Sequence, residues 1–317
     1  RHFIYKEYNR FMKITFLGGT RTVTGSKYLI TIDSKKILVD CGLFQGYKEL
    51  RLRNWDKLPI DAHEIDAVIL THAHIDHSGY LPLLVKNGFK GKIYCTQGTR
   101  DLCAILLPDS GYLQEEDANR ANKYGYSKHA PALPLYTMED SMRALEQFVV
   151  CHFDDPLQLF GKVTFKFLPA GHIIGSSLVY LQYENKSVLF TGDLGRPHHP
   201  VTKPPAMIPQ ADYLIVEATY GDRLHDSLNP LDQLADIIQQ TVARGGSVVI
   251  PAFAVGRTQD LLYYLYVLKK DKRITDIPIF LDSPMAQDVT DLLARYHGEL
   301  RLTEGLAKNI CKIAKYT

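Results

Sequence analysis

The sequence predicts an α/β fold in which short strands deliver metal-type side chains from their ends. Three observations carry that expectation. The stretch Thr71-His72-Ala73-His74-Ile75-Asp76-His77-Ser78-Gly79 places three imidazoles and one carboxylate within six consecutive positions, directly after the apolar run Ala67-Val68-Ile69-Leu70. The pattern of strand, small residue and His or Asp recurs at Gly171-His172 and Gly192-Asp193. From Asp212 onward strands and helices alternate in βαβα order, which implies a parallel sheet with helices on its faces.

Residues 1–11 are a mixed aromatic and charged extension without the apolar segment of a secretory signal. Strands are expected over 13–17, 26–32 and 36–39, the last ending in Asp40-Cys41-Gly42. Asp40 could act on a site or cap its turn, since aspartate is common in turns. Residues 43–63 read as polar loop and 67–70 as a buried strand. A helix is expected over 79–85, with Pro82 in its first turn and Gly88 near its end, followed by a strand over 92–95. Leu102, Ile105, Leu106, Tyr112 and Leu113 give 99–122 a helical period, with Glu115-Glu116-Asp117 as its solvated face. Pro131 and Pro134 mark a loop before a helix over 138–149, and strands are expected over 163–168, 177–181 and 187–191.

Neutral imidazole and carboxylate suit a borderline ion such as Zn²⁺. In extended backbone, side chains two apart share a face, so His72 and His74 can grip one ion. Asp76 and His77 lie where Ser78-Gly79 opens a helix and can face a second ion beside the first. Two ions about 3.5–4 Å apart are the usual arrangement for hydrolysing phosphate esters. A lone histidine beside a strand is most often a satisfied structural residue. Four metal-competent residues in six positions are different, because without an ion each would need its own buried partner. Gly171 lets the backbone turn so that His172 projects from its strand end. Three strand ends carrying His72/His74, His172 and Asp193 are what a preorganised site on a rigid sheet requires.

Further on, a strand over 212–216 leads into Glu217, an acid at its tip. Helices are expected over 231–243, 257–268 and 286–296, and strands over 247–250 and 278–281. A boundary is expected between 205 and 222, giving the extension 1–11, a first domain 12–210 and a second, incomplete domain 211–317. Arg257 opens a helix after a strand and a glycine, a place where anions dock, and is the candidate substrate-binding residue. Lys269 to Arg273 read as a solvated helix end and Phe253 as core, with base stacking on Phe253 or Tyr220 the competing reading. His198-His199 read as a surface loop and not as ligands.

The 317 residues suffice for two domains, and 45% hydrophobic with 23% charged residues is ordinary globular composition. A formal charge of +2 neither demands nor excludes a polyanionic partner. Five scattered cysteines without C-x-x-C spacing suggest neither a disulfide framework nor a thiolate zinc site, and fit a reducing cytoplasm. No apolar run reaches the roughly 18 residues of a membrane span, so no membrane partner is expected.

His72-x-His74-x-Asp76-His77, with Asp40, His172 and Asp193 in that order, resembles the metallo-β-lactamase fold, an αββα sandwich with two metals at one edge. Val216-Glu217-Ala218-Thr219-Tyr220-Gly221 and Ile250-Pro251-Ala252-Phe253-Ala254-Val255-Gly256-Arg257 resemble the β-CASP domain inserted into that fold. This branch processes nucleic acids and includes bacterial and archaeal ribonucleases and the endonuclease subunit of the pre-mRNA cleavage and polyadenylation factor. The resemblance implies that His72, His74 and His172 bind one zinc, that Asp76 and His77 bind the other, and that Asp193 bridges both. Asp40 would then support the ligands from behind, and Glu217, with Asp76, would be catalytic. In the branch the chain returns after the insertion with a further motif histidine and a last zinc ligand. His297 matches neither, so we expect these residues to be the front part of a longer protein, with little or no turnover alone.

The expected function is zinc-dependent hydrolysis of single-stranded RNA by a hydroxide held between two Zn²⁺ ions and oriented by Asp76. Two alternatives are a hydrolase of a small thioester or lactam and a non-catalytic RNA-processing scaffold. The extra α/β domain argues against the first and the intact ligand set against the second. The mode of cleavage, base context and oligomeric state, a homodimer included, stay open.

Overall fold

The computed structural model describes residues 12–224 and 227–316. Strands β1 (Met12–Phe16), β2 (Tyr28–Ile32) and β3 (Lys35–Val39) form an antiparallel meander. β4 (Ala67–Ile69), β5 (Lys92–Thr96) and β6 (Phe148–Cys151) continue it in parallel, giving a six-stranded sheet in sequence order. A second, five-stranded sheet comprises β7 (Leu157–Phe160), β8 (Val163–Pro169), β9 (Ser177–Tyr183), β10 (Lys186–Phe190) and β11 (Tyr213–Ile215). Its pairs are antiparallel except β10 with β11.

Alternation along the strands builds two cores at once. On β3, Ile37 and Val39 face Phe165, Phe167, Val179 and Phe190 between the sheets, whereas Leu38 joins Leu81, Leu84 and Leu102 on the helix side. Fully burying each such side chain stabilises by roughly 1.5–3 kcal/mol. The short α1 (Lys48–Leu52) buries no side chain, and the helix side is built from α2 (Ile75–Ser78), α3 (Leu81–Lys86), α4 (Gln97–Tyr124) and α5 (Met138–Leu145). Thr96 caps α4 by accepting from Thr99 N–H at 3.2 Å. Three layers of the expected sandwich are thus in place. On the outer face of the second sheet, Leu168, Ala170, Leu178 and Leu189 pack among the described residues on Leu194, Ala206 and Ala211, which belong to an irregular segment.

The second unit holds α6 (Pro230–Ala243), α7 (Arg257–Lys270), β12 (Phe280–Leu281), α8 (Pro284–Arg295), α9 (Glu304–Cys311) and β13 (Lys315–Tyr316). Its parallel sheet is a single β12–β13 ladder. The strand expected over 247–250 is irregular chain without a ladder, and Val249 is 87% exposed, because β-branched residues make a strand only where a neighbour supplies the other half of each hydrogen bond. Two other expectations are corrected. The helix over 138–149 ends at Leu145, and Phe148-Val149-Val150-Cys151 pairs with β5 instead. Residues 43–63 contain the short helix α1 and two 3₁₀ turns. Among the described residues no helix is long and apolar enough to cross a membrane.

Candidate metal centre

The ligand candidates converge where the two sheets share an edge. After β4 the chain runs extended through His72 and His74, whose backbone (φ −54°, ψ 144°) precedes α2, and α2 carries Asp76 and His77. From the second sheet, Gly171 (φ +69°) and Gly192 (φ +51°) turn the chain in the left-handed region at the ends of β8 and β10. His172 and Asp193 follow directly and point to the same place.

One ligand atom each from His72, His74, His172 and Asp193 lies within 4.8 Å of all the others. His74 Nδ1 is 3.2 Å from both His72 Nε2 and His172 Nε2, and Asp193 Oδ2 is 3.7 and 3.5 Å from those two nitrogens. A tetrahedral ion with bonds of about 2.0–2.1 Å would separate its ligands by about 3.3–3.4 Å, so these four atoms fit a small borderline cation. The other oxygen of Asp193, Oδ1, lies 3.2 Å from His77 Nε2, which is 3.8 Å from Asp76 Oδ2. Asp193 therefore faces two adjacent groups of ligands, one with each oxygen.

A buried hydrogen-bond chain behind the ligands fixes which ring nitrogen faces forward. Asp40, wholly buried at φ +58°, accepts from Thr71 N–H (2.8 Å), Thr71 Oγ1 (2.9 Å) and His77 Nδ1–H (2.7 Å). Thr71 has one hydroxyl proton and gives it to Asp40, so it accepts from His72 Nδ1–H at 3.0 Å. His72 and His77 consequently both present Nε2. The Val255 backbone of the second unit lies close to the His74 ring and favours its protonated form against burial.

The electrostatics distinguish the two groups. Burial, ahead of the surrounding charges, pushes His72 well below the ordinary histidine range and His74 and His172 down to about 4, so these rings are neutral with lone pairs free at pH 7. Burial pulls His77 the same way, but the Asp40 and Asp193 carboxylates outweigh it and hold His77 well above its usual value. Burial works to raise Asp193 too, yet the hydrogen bond with His77 and the nearby imidazoles keep it far below the carboxylate range. Burial raises Asp76.

The remaining candidates sit around this cluster. Glu217 lines a cleft with Asp40, His77 and Asp193, and its two oxygens accept from Leu194 N–H (3.0 Å) and Thr219 N–H (3.1 Å). Arg257 is exposed at the start of α7, two residues beyond the Val255 contact with His74. Phe253, read as core, is 83% exposed. Lys269 and Arg273 are paired with Asp276 and Asp232 at 2.7 and 2.6 Å, as a solvated helix end requires. His199, read as surface loop, is instead held by Asp260 at 3.2 Å and accepts from Thr202 N–H at 3.0 Å.

Comparison with known proteins bears on the same residues. The family model described as the Metallo-beta-lactamase superfamily matches residues 21–108, and that of the Beta-Casp domain matches 258–317. The chain carries a metallo-β-lactamase domain and a β-CASP domain. Ribonuclease TTHA0252 of Thermus thermophilus is 37% identical to it over 292 residues, which cover 91% of this chain and 63% of the relative. Transcription termination factor FttA of Methanosarcina mazei is 32% identical, over 86% of this chain and 42% of its own length. Cleavage and polyadenylation specificity factor 73 of Drosophila melanogaster is 30% identical, over 87% and 39%. The chain thus spans between about two fifths and under two thirds of the length of these relatives. The metallo-β-lactamase match contains Asp40, His72, His74, Asp76 and His77, and the β-CASP match begins one residue after Arg257.

Two contributors to the site escaped the sequence reading. Thr71 was visible only as the residue before the histidine stretch, and Val255 acts through its backbone, which leaves no mark on residue type.

Proposed function

We propose that this protein is a metal-dependent hydrolase of RNA phosphodiesters whose centre holds two zinc ions. The observation that carries the reading is the placement of Asp193, with Oδ2 beside His72 and His172 and Oδ1 beside His77. Such a carboxylate fits between two cations, with one oxygen turned to each group of candidate ligands. Bound there, the ions would lower the pKa of a water and offset charge on the phosphoryl oxygens. His72, His74 and His172 would hold the first ion, and Asp76 and His77 the second. Asp76, with its carboxyl at the open side of α2, would orient the attacking water, and Glu217 would shape the cleft wall beside it. Arg257 would meet a substrate phosphate as the strand passes from the cleft towards α7.

Support for RNA over a small thioester or lactam comes from the relatives, which include a ribonuclease and a cleavage and polyadenylation factor, and from the β-CASP domain itself. The test is cleavage of end-labelled single-stranded RNA by the full-length protein containing these residues, loaded with Zn²⁺. The reading predicts cleavage that a chelator stops, that Zn²⁺ restores, and that Asp76→Ala or His72→Ala lowers by at least about 100-fold. Cleavage that survives the chelator or Asp76→Ala contradicts it, as does zinc-dependent thioester hydrolysis with RNA left intact.

A further inference from the structure

The loop that presents His172, residues 170–176 between β8 and β9, is gripped at both ends by the rest of the molecule. Gly171 C=O accepts from Thr202 Oγ1 at 2.7 Å, and Gly175 N–H donates to Glu299 Oε2 at 2.7 Å. Gly175 C=O accepts from Thr96 Oγ1 (2.6 Å) and Thr99 Oγ1 (2.9 Å) at the head of α4. Within the loop, Ser176 Oγ accepts from His172 N–H at 3.0 Å.

We propose that Glu299 is a positioning residue of the metal centre, holding the His172 loop so that the second unit sets the affinity of the first ion position. This rests on the reading of His72, His74, His172 and Asp193 as metal ligands. Among the described residues Glu299 makes the one charge-assisted bond to the backbone of the loop, and such bonds are about twice as strong as neutral ones. It is itself anchored. Its N–H donates to Tyr296 C=O at 2.8 Å, and its C=O accepts from Lys203 N–H at 3.3 Å. Residues 299–301 run beside 201–203, with Arg301 N–H donating to Val201 C=O at 2.9 Å and Thr202 bridged to Leu300. One clasp therefore presents Thr202 to the front of the loop and Glu299 to its back. The same unit reaches a second ligand through the Val255 contact with His74. Two of the four ligands at the first position are thus backed by residues more than 80 positions beyond them in the chain.

The experiment is competition of chelator-stripped protein with a chromophoric chelator for Zn²⁺, with thermal unfolding as the check on folding. Glu299→Ala is expected to weaken the first ion by about 10-fold, the low end of what losing a direct outer partner of a ligand costs, because Glu299 holds the loop at Gly175 and not the His172 ring. Glu299→Gln keeps an oxygen for Gly175 N–H and should recover most of the affinity. Glu299→Asp keeps the charge but is one methylene short, so it should behave like Ala and serves if Ala does not fold. In a His172→Ala background, Glu299→Ala should change nothing further. Wild-type affinity in both Ala and Asp variants, or an undiminished loss in the His172→Ala background, overturns the proposal. A wild type that takes up no Zn²⁺ overturns the metal reading as well.

Discussion

Thr71 Oγ1 has a single proton, and its direction decides which nitrogen of His72 faces the centre. Removing it with Thr71→Val leaves the buried His72 Nδ1–H without its partner and takes one of the two donors from Asp40 Oδ2, which keeps His77. Urea unfolding should show a loss of about 1–3 kcal/mol, with weaker Zn²⁺ uptake, while Thr71→Ser stays close to wild type. Equal stability of the Val and Ser variants would show that the chain of bonds does not matter. Lys27 gives a pH-dependent case. It is almost wholly buried, donates to Gly42 C=O and lies 4.5 and 4.8 Å from the Phe44 and Tyr80 ring centres. Burial lowers its pKa to about 8. A lysine depressed on folding destabilises the protein while charged in both states, and the penalty fades as pH rises from about 8 to about 10.5. The stability of wild type relative to Lys27→Met should therefore rise across that window, by up to roughly 3 kcal/mol. A gap that is flat, or that moves the other way, contradicts the assignment. At this scale the cluster of His72, His74, His172 and Asp193 was legible because histidine and aspartate recur at strand ends that the two sheets bring to one edge. Thr71 and Glu299 were not, because their roles exist only once distant segments meet.

Among the elements, the centre depends on strands that stop abruptly and turn. Gly192 is left-handed at φ +51°, and a Cβ there would lie 2.7 Å from Thr71 Oγ1. Gly192→Ala should therefore cost about 1–3 kcal/mol from backbone conformation alone and disturb Thr71 as well. Gly305, in the exposed first turn of α9 with nothing within 4 Å of its Cβ position, is the counter-case, and Gly305→Ala should stabilise by about 0.5 kcal/mol. Thermal midpoints moving in opposite directions would bear this out, and a neutral Gly192→Ala would contradict it. Period and end signals located most strands of both sheets and four long helices. They failed at Phe148-Val149-Val150-Cys151, where a helix was expected to continue two residues into a four-residue strand, and at 247–250, where β-branched residues found no ladder. β7 was missed because Leu157–Phe160 is short and lies at the edge of its sheet. In each case the deciding partner lies elsewhere in the chain.

For the whole molecule, two sheets packed face to face carry the candidate ligands at one shared edge, and the second unit leans on that edge through Val255 and Glu299. The order of ligands along the chain made this sandwich legible. The clasp between 201–203 and 299–301 was not, since it joins segments separated by nearly 100 residues. The central claim is that one edge gathers two ions on either side of Asp193. Anomalous diffraction at the zinc edge from Zn²⁺-loaded protein tests it most directly. We predict two peaks about 3.5–4 Å apart, one among His72, His74 and His172 and one beside Asp76 and His77. No peak among these side chains, or a single peak that persists unchanged in Asp193→Ala, would contradict it.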